Sequence, residues 1–359
     1  MKKILKALKY ILFAILGLVA LFFLFVLYLT VREYRPEAEE SLTVSKTSGE
    51  SATVLTPGEE ISILTWNVGY GSLGDNADFF MDGGSSVVTA TKERNAENLK
   101  EITEALSALD PDIILMQETD EDSGRSYHVN EPALFSDALP GYEYTYAYNF
   151  KVDFVPYPVP PIGKVTSGLL TMSRFGITQA ERISLPCPFK WPVRVANLKR
   201  CLSVNRIPVD DSGKELVIVN LHLEAYDSGE GKIAQTKMLA EFLKAEADKG
   251  NYVIAGGDFN QSFSGTDTSA YPEYEGMWHC GLLDEAAFDP SFTFCQDNTY
   301  PTCRSLDRPI VENPEHFQYY VIDGFIVSEG IEIISLETLD YGFKNTDHNP
   351  VLMKFKIAD

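Results

Sequence analysis

One uninterrupted apolar segment limits what this chain can fold into. Residues 10–31 form a run of 22 residues without a charged side chain, and the run is rich in Leu, Phe, Ile and Val. A helix of about 20 apolar residues crosses the hydrocarbon of a bilayer. A cleaved signal peptide has a shorter apolar stretch and a small-residue cleavage site, and a buried core helix is seldom apolar on every face. We therefore predict a transmembrane signal anchor over residues 10–31.

The charges that flank this segment predict its orientation. Residues 1–9 contain four lysines and no acid, whereas residues 32–37 contain two arginines and two glutamates. Because the cationic flank of a membrane span stays in the cytoplasm, we expect a single-pass protein of the cell membrane. Residues 1–9 would be a cytoplasmic tail, and everything after residue 31 would be extracytoplasmic. Residues 32–60 are rich in Glu, Ser, Thr, Gly and Pro, which predicts a stalk or linker.

The net charge of the chain is strongly negative. With 30 basic and 52 acidic side chains it is −22; the four lysines of the tail leave 26 basic side chains against 52 acidic ones, or −26, on the remainder. A surface of this kind repels polyanions. Nucleic acid is therefore disfavoured as a partner, although the charge alone does not exclude it.

The cysteine pattern gives little support to a thiolate metal site. The five cysteines are Cys187, Cys201, Cys280, Cys295 and Cys303. No two of them have Cys-x-x-Cys spacing, and an odd number leaves at least one thiol unpaired. Buried single thiols and a disulfide both remain open.

Residues 61–359 have the pattern of one large domain with mixed β-sheets. Residues 99–109 carry leucine and isoleucine at steps of three and four, which predicts a helix that Pro111 ends, and a second helix is expected around residues 233–247. Strands commonly follow one another directly, which favours mixed sheets with outer helices over a parallel barrel. The predicted strands cover residues 61–68, 112–118, 142–148, 168–172, 201–207, 216–223, 252–255, 319–327, 331–336 and 351–357.

Polar residues with catalytic potential are grouped at the edges of these strands. Each group alone is common in ordinary turns. Six groups at strand edges, containing two of the five histidines, point to one site, since α/β folds gather their sites where strands end. The groups are Asn67, Gln117-Glu118, His222, Gly257-Asp258-Phe259-Asn260, Asp323 and Asp347-His348.

This ordered set resembles the signature of the endonuclease/exonuclease/phosphatase superfamily. The superfamily includes pancreatic-type deoxyribonucleases, abasic-site endonucleases, sphingomyelinases and inositol polyphosphate 5-phosphatases. The match spans essentially all of residues 61–359. It implies an α+β fold, a four-layer α/β/β/α sandwich of two mixed β-sheets flanked by helices and preceded here by one transmembrane helix.

The resemblance implies a metal site as well as a fold. Glu118 corresponds to the principal ligand of a divalent cation, Mg²⁺ or Mn²⁺, with Asn67 assisting it and Asp347 as a further ligand. Carboxylate and amide oxygens suit hard cations of this type. Four carboxylates in one pocket also need a cation to offset their repulsion, which independently supports metal dependence.

The same resemblance assigns roles in catalysis. Asp258 would activate or orient the attacking water, and Asn260 would align it. His348 would contact the phosphate and be held in its tautomer by Asp323, while His222 would donate to a phosphate oxygen as charge builds.

Three segments are candidates for substrate recognition. Residues 150–162 are aromatic and proline-rich, and they form either a hydrophobic rim or a packed loop. Residues 71–84 are acidic and would disfavour a long polyanion. Residues 191–200 place Arg194, Lys199 and Arg200 near a tryptophan, where they would meet phosphate oxygens or form a solvated basic turn.

These observations predict a membrane-tethered, extracytoplasmic, metal-dependent phosphoesterase, either a phosphodiesterase or a phosphatase. Its substrate would be a small or lipid-linked phosphoester, such as a phospholipid. One alternative is an extracellular metal-dependent nuclease. A second is a catalytically silent module that binds lipid or a partner protein.

Overall fold

The computed structural model describes residues 2–50, 54–227, 229–311 and 317–358. Within these residues, regular structure consists of four α-helices and sixteen β-strands. The helices are α1 (Lys2–Val31), α2 (Lys92–Leu109), α3 (Glu131–Ala138) and α4 (Glu230–Asp248). The strands are β1 (Glu39–Ser41), β2 (Ser45–Lys46), β3 (Ile61–Asn67), β4 (Ile113–Asp120), β5 (Glu143–Val155), β6 (Gly163–Ser173), β7 (Gln179–Ser184), β8 (Cys201–Val209), β9 (Lys214–His222), β10 (Tyr252–Asp258), β11 (Thr293–Cys295), β12 (Cys303–Arg304), β13 (Tyr319–Tyr320), β14 (Asp323–Val327), β15 (Ile331–Thr338) and β16 (Val351–Ile357).

Two seven-stranded sheets form the centre of the molecule. The first sheet has the order β1-β7-β8-β9-β10-β14-β11, and the second has the order β15-β16-β3-β4-β6-β5-β2. Both sheets are mixed, because β9 pairs parallel to β10 and β3 pairs parallel to β4 while their other neighbours are antiparallel. Strands β12 and β13 form a separate short pair.

Side-chain alternation along the strands builds the layers. Ile63 of β3 points between the sheets and packs with Ile218 and Phe325 of the first sheet. Leu64, the next residue, points outward and packs with Leu99 of α2. Helix α4 covers the outer face of the first sheet in the same way. The predicted four-layer α/β/β/α sandwich of two mixed sheets, preceded by one long apolar helix, is confirmed.

Segments between residues 32 and 60 join the sheets rather than forming only a stalk. Strand β1 pairs with β7 at the edge of the first sheet, and β2 pairs with β5 at the edge of the second. Leu55 is fully buried in the core between the sheets. The polar composition that suggested a linker is also typical of short edge strands, whose outer faces meet water.

Several predicted strands differ from the observed ones in their bounds, and two of these differences have a clear structural reason. The run at residues 319–327 is broken at Val321 and Ile322 into β13 and β14, because β13 leaves the sheet to pair with β12. The strand predicted at residues 142–148 continues to Val155 as one arm of a hairpin with β6. The aromatic segment 150–162 therefore consists of a strand end and the hairpin tip.

Helix α1 contains the predicted membrane span. Among the described residues it is the one helix long and apolar enough to cross a membrane. Its last turns contact the rest of the protein: the Tyr28 hydroxyl and the Arg32 guanidinium both donate to Asp153 Oδ2, at 3.0 and 2.7 Å. All five cysteines are free thiols, and of these only Cys187 is exposed.

Candidate active site

Strand pairing brings polar residues from distant parts of the chain to one edge of the sandwich. In the first sheet, Asp258 on β10 lies in register between His222 on β9 and Asp323 on β14. In the second sheet, Asn67 at the end of β3 is opposite Gln117 on β4. Because residues paired in register share a face of the sheet, these side chains converge at the edge where the parallel strands end.

Two glycines permit the close approach of chain segments at this edge. Gly69 has a φ of +51°, and a Cβ there would lie 2.9 Å from Thr346 Oγ1 and 3.1 Å from Asp347 Oδ1. Gly257 has a φ of +149°, and a Cβ there would lie 2.0 Å from the Leu221 carbonyl oxygen. Both positions therefore require glycine, on conformational and on steric grounds.

A buried histidine–carboxylate pair is the best-defined element of the site. His348 Nδ1 lies 2.8 Å from Asp323 Oδ2, and both side chains are buried. The Trp66 indole donates to the His348 carbonyl oxygen at 2.9 Å and holds the backbone beside the ring. Burial by itself lowers the pKa of His348, but the Asp323 carboxylate more than offsets this and raises it well above its ordinary value. The Asp323 carboxylate therefore orients the ring and favours its protonated form.

Asp258 lies at the centre of the cluster and is close to four of its other residues. Its carboxylate accepts hydrogen bonds from the Asn67 amide at 3.1 Å and from the Asn260 backbone N–H at 2.9 Å. The Nε2 atoms of His222 and His348 lie 3.5 and 3.7 Å from Asp258 Oδ2. Burial, followed by the negative charge of Asp323, raises the pKa of Asp258 to about 7. A carboxylate with this pKa exchanges a proton near neutrality, as a general base must.

His222 differs from His348 although both face Asp258. Burial, followed by the charge of Arg200, lowers the pKa of His222 well below its ordinary value. These effects favour the neutral form of His222, and its Nδ1 has no hydrogen-bond partner among the described residues. A neutral imidazole of this kind donates from one nitrogen only, so its role depends on the tautomer.

Two of the three residues predicted to bind metal border a cavity that is also lined by Asp258 and His348, whereas Asn67 is not part of its lining. Glu118 and Asp347 both line it. Glu118 lies within a β-bulge of β4 and has a φ of +54°, which turns its backbone out of the regular strand. Both ends of the Asn67 amide already make hydrogen bonds within the protein. Its Oδ1 accepts from the Gly69 N–H at 3.1 Å, and its Nδ2 donates to Asp258.

The chemistry of this cluster fits a divalent cation. Burial, with the negative charge of Glu118 as a further cause, raises the pKa of Asp347 to about 6. Carboxylate oxygens of Asp258 and Asp323 lie within 4.8 Å of each other and of a His348 ring nitrogen, and of these groups the carboxylates are the donors for a cation, because a protonated imidazole cannot bind metal. The Asp323 Oδ1 is buried without a hydrogen-bond partner among the described residues. Closely packed carboxylates of raised pKa are stabilised as anions by a hard cation bound to their oxygens.

Cys303 is close to this cluster but is a poor ligand. Its sulfur lies within 4.8 Å of potential ligand atoms of Asp347 and His348. Burial raises the pKa of the Cys303 thiol far above its ordinary value. Because the thiolate is the form that binds metal, the oxygen ligands are preferred.

The three basic residues predicted to contact substrate have different surroundings. Arg200 borders the cavity and is held by the His222 carbonyl oxygen at 2.9 Å and by Glu224 at 3.3 Å. Arg194 and Lys199 do not join the cluster. Both pair with Glu33, just after α1, at 3.2 and 3.3 Å, because the segment that carries them packs beside the end of that helix.

Several cavity residues had no clear signal in the sequence. Arg125 stacks on the Tyr70 ring at 3.6 Å and makes two hydrogen bonds with Asp120, at 2.9 and 3.1 Å. The Tyr226 hydroxyl donates to Asp82 at 2.8 Å and links two cavity walls. The one available signal was the position of Arg125, a basic residue shortly after a strand end in an acidic chain.

The fold and the site together define a class of protein. A sandwich of two mixed sheets, with a buried His–Asp pair and several acidic residues at one sheet edge, has the architecture and the donor groups of a phosphoester hydrolase. The sequence comparison then identifies the family: the chain belongs to the Endonuclease/Exonuclease/phosphatase family, whose sequence pattern matches residues 64–311, more than half of the chain.

Solved structures share the fold at low sequence identity. An endonuclease/exonuclease/phosphatase from Beutenbergia cavernae DSM 12333 is 17% identical, with a TM-score of 0.58 over 83% of this chain and 72% of that chain. The human nocturnin catalytic domain with bound sulfate is 16% identical (TM-score 0.52, 88% and 98% covered). ANGEL2, a 2′,3′-cyclic phosphatase solved with adenosine-2′,3′-vanadate, is 15% identical (TM-score 0.55, 88% and 98% covered). No curated protein sequence is significantly similar to the chain.

Proposed function

We propose that the protein is a membrane-tethered phosphoesterase that uses a divalent metal ion, Mg²⁺ or Mn²⁺, to hydrolyse a phosphoester outside the cytoplasm. The observation that carries this proposal is the buried contact of Asp323 with His348, placed beside Asp258 and in one cavity with Glu118 and Asp347. The sulfate bound to nocturnin and the vanadate bound to ANGEL2 are phosphate-like anions held by the same fold.

The residues divide the work of hydrolysis between them. Glu118 and Asp347 would hold the cation, which polarises a phosphoryl oxygen when bound. Asp258 takes the proton of a water that attacks phosphorus, and the Asn260 backbone N–H keeps that carboxylate in place. His348, charged and oriented by Asp323, contacts the phosphoryl oxygens as negative charge develops. The P–O ester bond breaks, the departing oxygen takes a proton from a solvent water, and Asp258 releases to solvent the proton that it accepted, so no net proton is left on the protein.

The contacts of Asn67 favour a role that differs from the one expected from the resemblance. Its amide donates to Asp258 Oδ2 and its carbonyl oxygen is used by Gly69. We propose that Asn67 orients the Asp258 carboxylate and reaches a cation only if the Gly69 contact is given up. A loss of activity in Asn67→Ala with unchanged metal affinity would support this role.

Hydrolysis of bis-p-nitrophenyl phosphate tests the activity. The full chain is used in detergent, because a chain beginning at residue 61 would lack edge strands β1 and β2. We expect hydrolysis with Mg²⁺ or Mn²⁺, loss on chelation, and loss in Asp258→Ala and His348→Ala. The matched controls are exposed residues, Asp267→Ala and His279→Ala. Activity that resists chelation, or active-site variants as fast as the controls, would refute the proposal.

Metal binding is measured separately from activity. Titration calorimetry with Mn²⁺ should show a site that is weakened by Glu118→Gln and by Asp347→Asn. The control is Glu121→Gln, which follows the same strand but bonds to Tyr148. Equal affinities in all variants would contradict the assigned ligands. A plasmid-nicking assay run in parallel decides between a general phosphoesterase and a nuclease.

Cys187 provides a test of membrane orientation. It is exposed, and the other four cysteines are buried. A membrane-impermeant maleimide should therefore label intact cells through Cys187, and Cys187→Ser should abolish the labelling. Labelling that appears only after lysis would place the domain in the cytoplasm.

A further inference from the structure

One cavity of about 820 Å³ joins the catalytic residues to helix α1. Its lining includes Asp258 and His348 together with four residues of α1, and those four recur at i, i+3, i+4 and i+7, so they share one helix face. They are Phe22, Phe25, Val26 and Leu29. The helix predicted to span the membrane is therefore a wall of the cavity that contains the catalytic centre. We call these four residues the anchor wall.

The cavity walls beside the anchor wall are also apolar. Phe150, Val155 and Ile162 come from the β5–β6 hairpin, which touches α1 through a ring contact between Phe25 and Phe154. The segment that carries Val193 packs against α1 as well. This side of the cavity thus offers hydrocarbon surface, whereas the hydrogen-bonding groups lie at the catalytic side.

The open volume is more than the packing of a helix requires. Protein interiors are close-packed and leave few voids larger than a water molecule. Ligand sites, by contrast, typically enclose about 300–1,000 Å³ and are lined by apolar side chains with a few polar groups. The space between the anchor wall and the domain has the size and lining of a ligand site, and it extends to the catalytic residues.

An exposed apolar rim lies next to this cavity. Val159 at the hairpin tip is 94% exposed, and Trp191 is 56% exposed. The Trp191 indole donates to the Thr30 hydroxyl at 3.1 Å, at the end of α1. Tryptophan and tyrosine are enriched where a protein meets the membrane interface, and Tyr157 and Val193 add to the same exposed surface. A rim of this composition is suited to the outer leaflet of a bilayer.

We propose that the cavity binds the hydrocarbon chain of a membrane phospholipid against the anchor wall, while the phosphoester of that lipid lies at Asp258 and His348. The inference rests on the proposed function and names its substrate class. A short polar phosphoester would leave the apolar part of the cavity in contact with water, whereas a lipid chain fills it and gains its burial energy. Helix α1 is then both the anchor and part of the substrate site.

n-Alkylphosphonates test this inference without requiring turnover. They carry a phosphate-like group on a chain of chosen length, and their C–P bond resists hydrolysis. Binding of methyl-, butyl- and octylphosphonate to the full chain in nanodiscs, with Mn²⁺ present, is measured by calorimetry. Each methylene that enters the cavity should lower Kd by about fourfold, so Kd should fall steeply between the butyl and octyl compounds.

A matched pair of helix variants separates cavity binding from general partition into the bilayer. Leu29 is 4% exposed and lies in the anchor wall, whereas Leu27 is 57% exposed on another face of α1. Leu29→Trp fills the cavity and should abolish the dependence of Kd on chain length; Leu27→Trp should retain it. Leu29→Ala is a milder variant that keeps the helix docked and should reduce the dependence without abolishing it.

The outcomes distinguish this inference from the proposed function. Chain-length dependence that Leu29→Trp removes and Leu27→Trp keeps supports the lipid site, even if bis-p-nitrophenyl phosphate is not hydrolysed. Hydrolysis of that soluble ester together with a Kd that is flat with chain length, or equally steep in both tryptophan variants, overturns the lipid site and leaves the phosphoesterase intact.

Discussion

Replacing Asp323 with asparagine should impair catalysis without unfolding the protein. Asp323 is 1% exposed and its Oδ2 lies 2.8 Å from His348 Nδ1. Asparagine has the same shape and still offers an oxygen to the ring, so the hydrogen bond is kept while its negative charge is lost. The free Asp323 Oδ1 has no hydrogen-bond partner among the described residues, and the new NH₂ group would occupy that position.

The size of the effect follows from the nature of this contact. A buried hydrogen bond to a charged group contributes about 1.5–3 kcal/mol and one between neutral groups about 0.5–1.5 kcal/mol, so loss of the charge alone removes about 1–1.5 kcal/mol. If that difference acts in the transition state, kcat/KM falls by roughly 5- to 13-fold. The loss should be mainly in kcat, because His348 meets charge that develops during the reaction. The assay is bis-p-nitrophenyl phosphate hydrolysis by the full chain, with the exposed Asp340→Asn as the control.

A double-mutant cycle decides whether Asp323 acts through His348. In the His348→Ala background, Asp323→Asn should cost almost nothing further, since the group that it orients is gone. An unchanged kcat in the single Asp323→Asn variant would refute the reasoning. Full additivity of the two losses in the cycle would show that Asp323 acts by another route.

Three further predictions concern stability, measured by urea unfolding. Glu246 accepts hydrogen bonds from Arg206 at 2.8 and 2.9 Å; burial raises its pKa, but these and other donors lower it to about 2. Its contribution is therefore present above about pH 4.5 and lost as the pH falls towards 2, so Glu246→Gln should cost about 1.5–3 kcal/mol at pH 7 and much less at pH 3. Phe325 is fully buried between the sheets, and Phe325→Ala should cost about 3–5 kcal/mol, with Phe325→Leu costing less; a loss below 1 kcal/mol would contradict this packing. Burial, followed by the charge of Asp120, raises the pKa of Glu131 well above its ordinary value, so this group destabilises the fold as the pH rises. The free energy of unfolding of Glu131→Gln should rise relative to that of the wild type between pH 4 and pH 8. Stability curves of the two proteins that run parallel over this range would disprove the assignment.

Much of the architecture could be predicted because its signals are local. The apolar segment at residues 10–31 indicated helix α1, and the leucine and isoleucine residues spaced by three and four at residues 99–109 indicated α2. Long strands such as β16 were found at their observed positions because apolar residues at successive or alternate positions mark a strand with a buried face. Short elements such as β1, β2 and α3 carry too few residues for a periodic signal.

The candidate site shows the limit of the same reasoning. Ordered motifs predicted that Asn67, Asp258 and His348 belong together, and the structure places them in one cluster. Among the predicted basic residues, only Arg200 borders the cavity, whereas Arg194 and Lys199 pair with Glu33. Sequence proximity could not separate these three, because the choice depends on how their segment packs against α1.

From the sequence alone come the long apolar helix, most of the long strands and the polar groups that gather at the candidate site, since each signal depends on neighbours along the chain. The tertiary structure sets which groups touch, because those contacts join residues far apart: Asn67 donates to Asp258, 191 positions away. It also decided that α1 borders the catalytic cavity. That contact requires the hairpin, the segment around Trp191 and the helix end to pack against one another, and no local pattern encodes it.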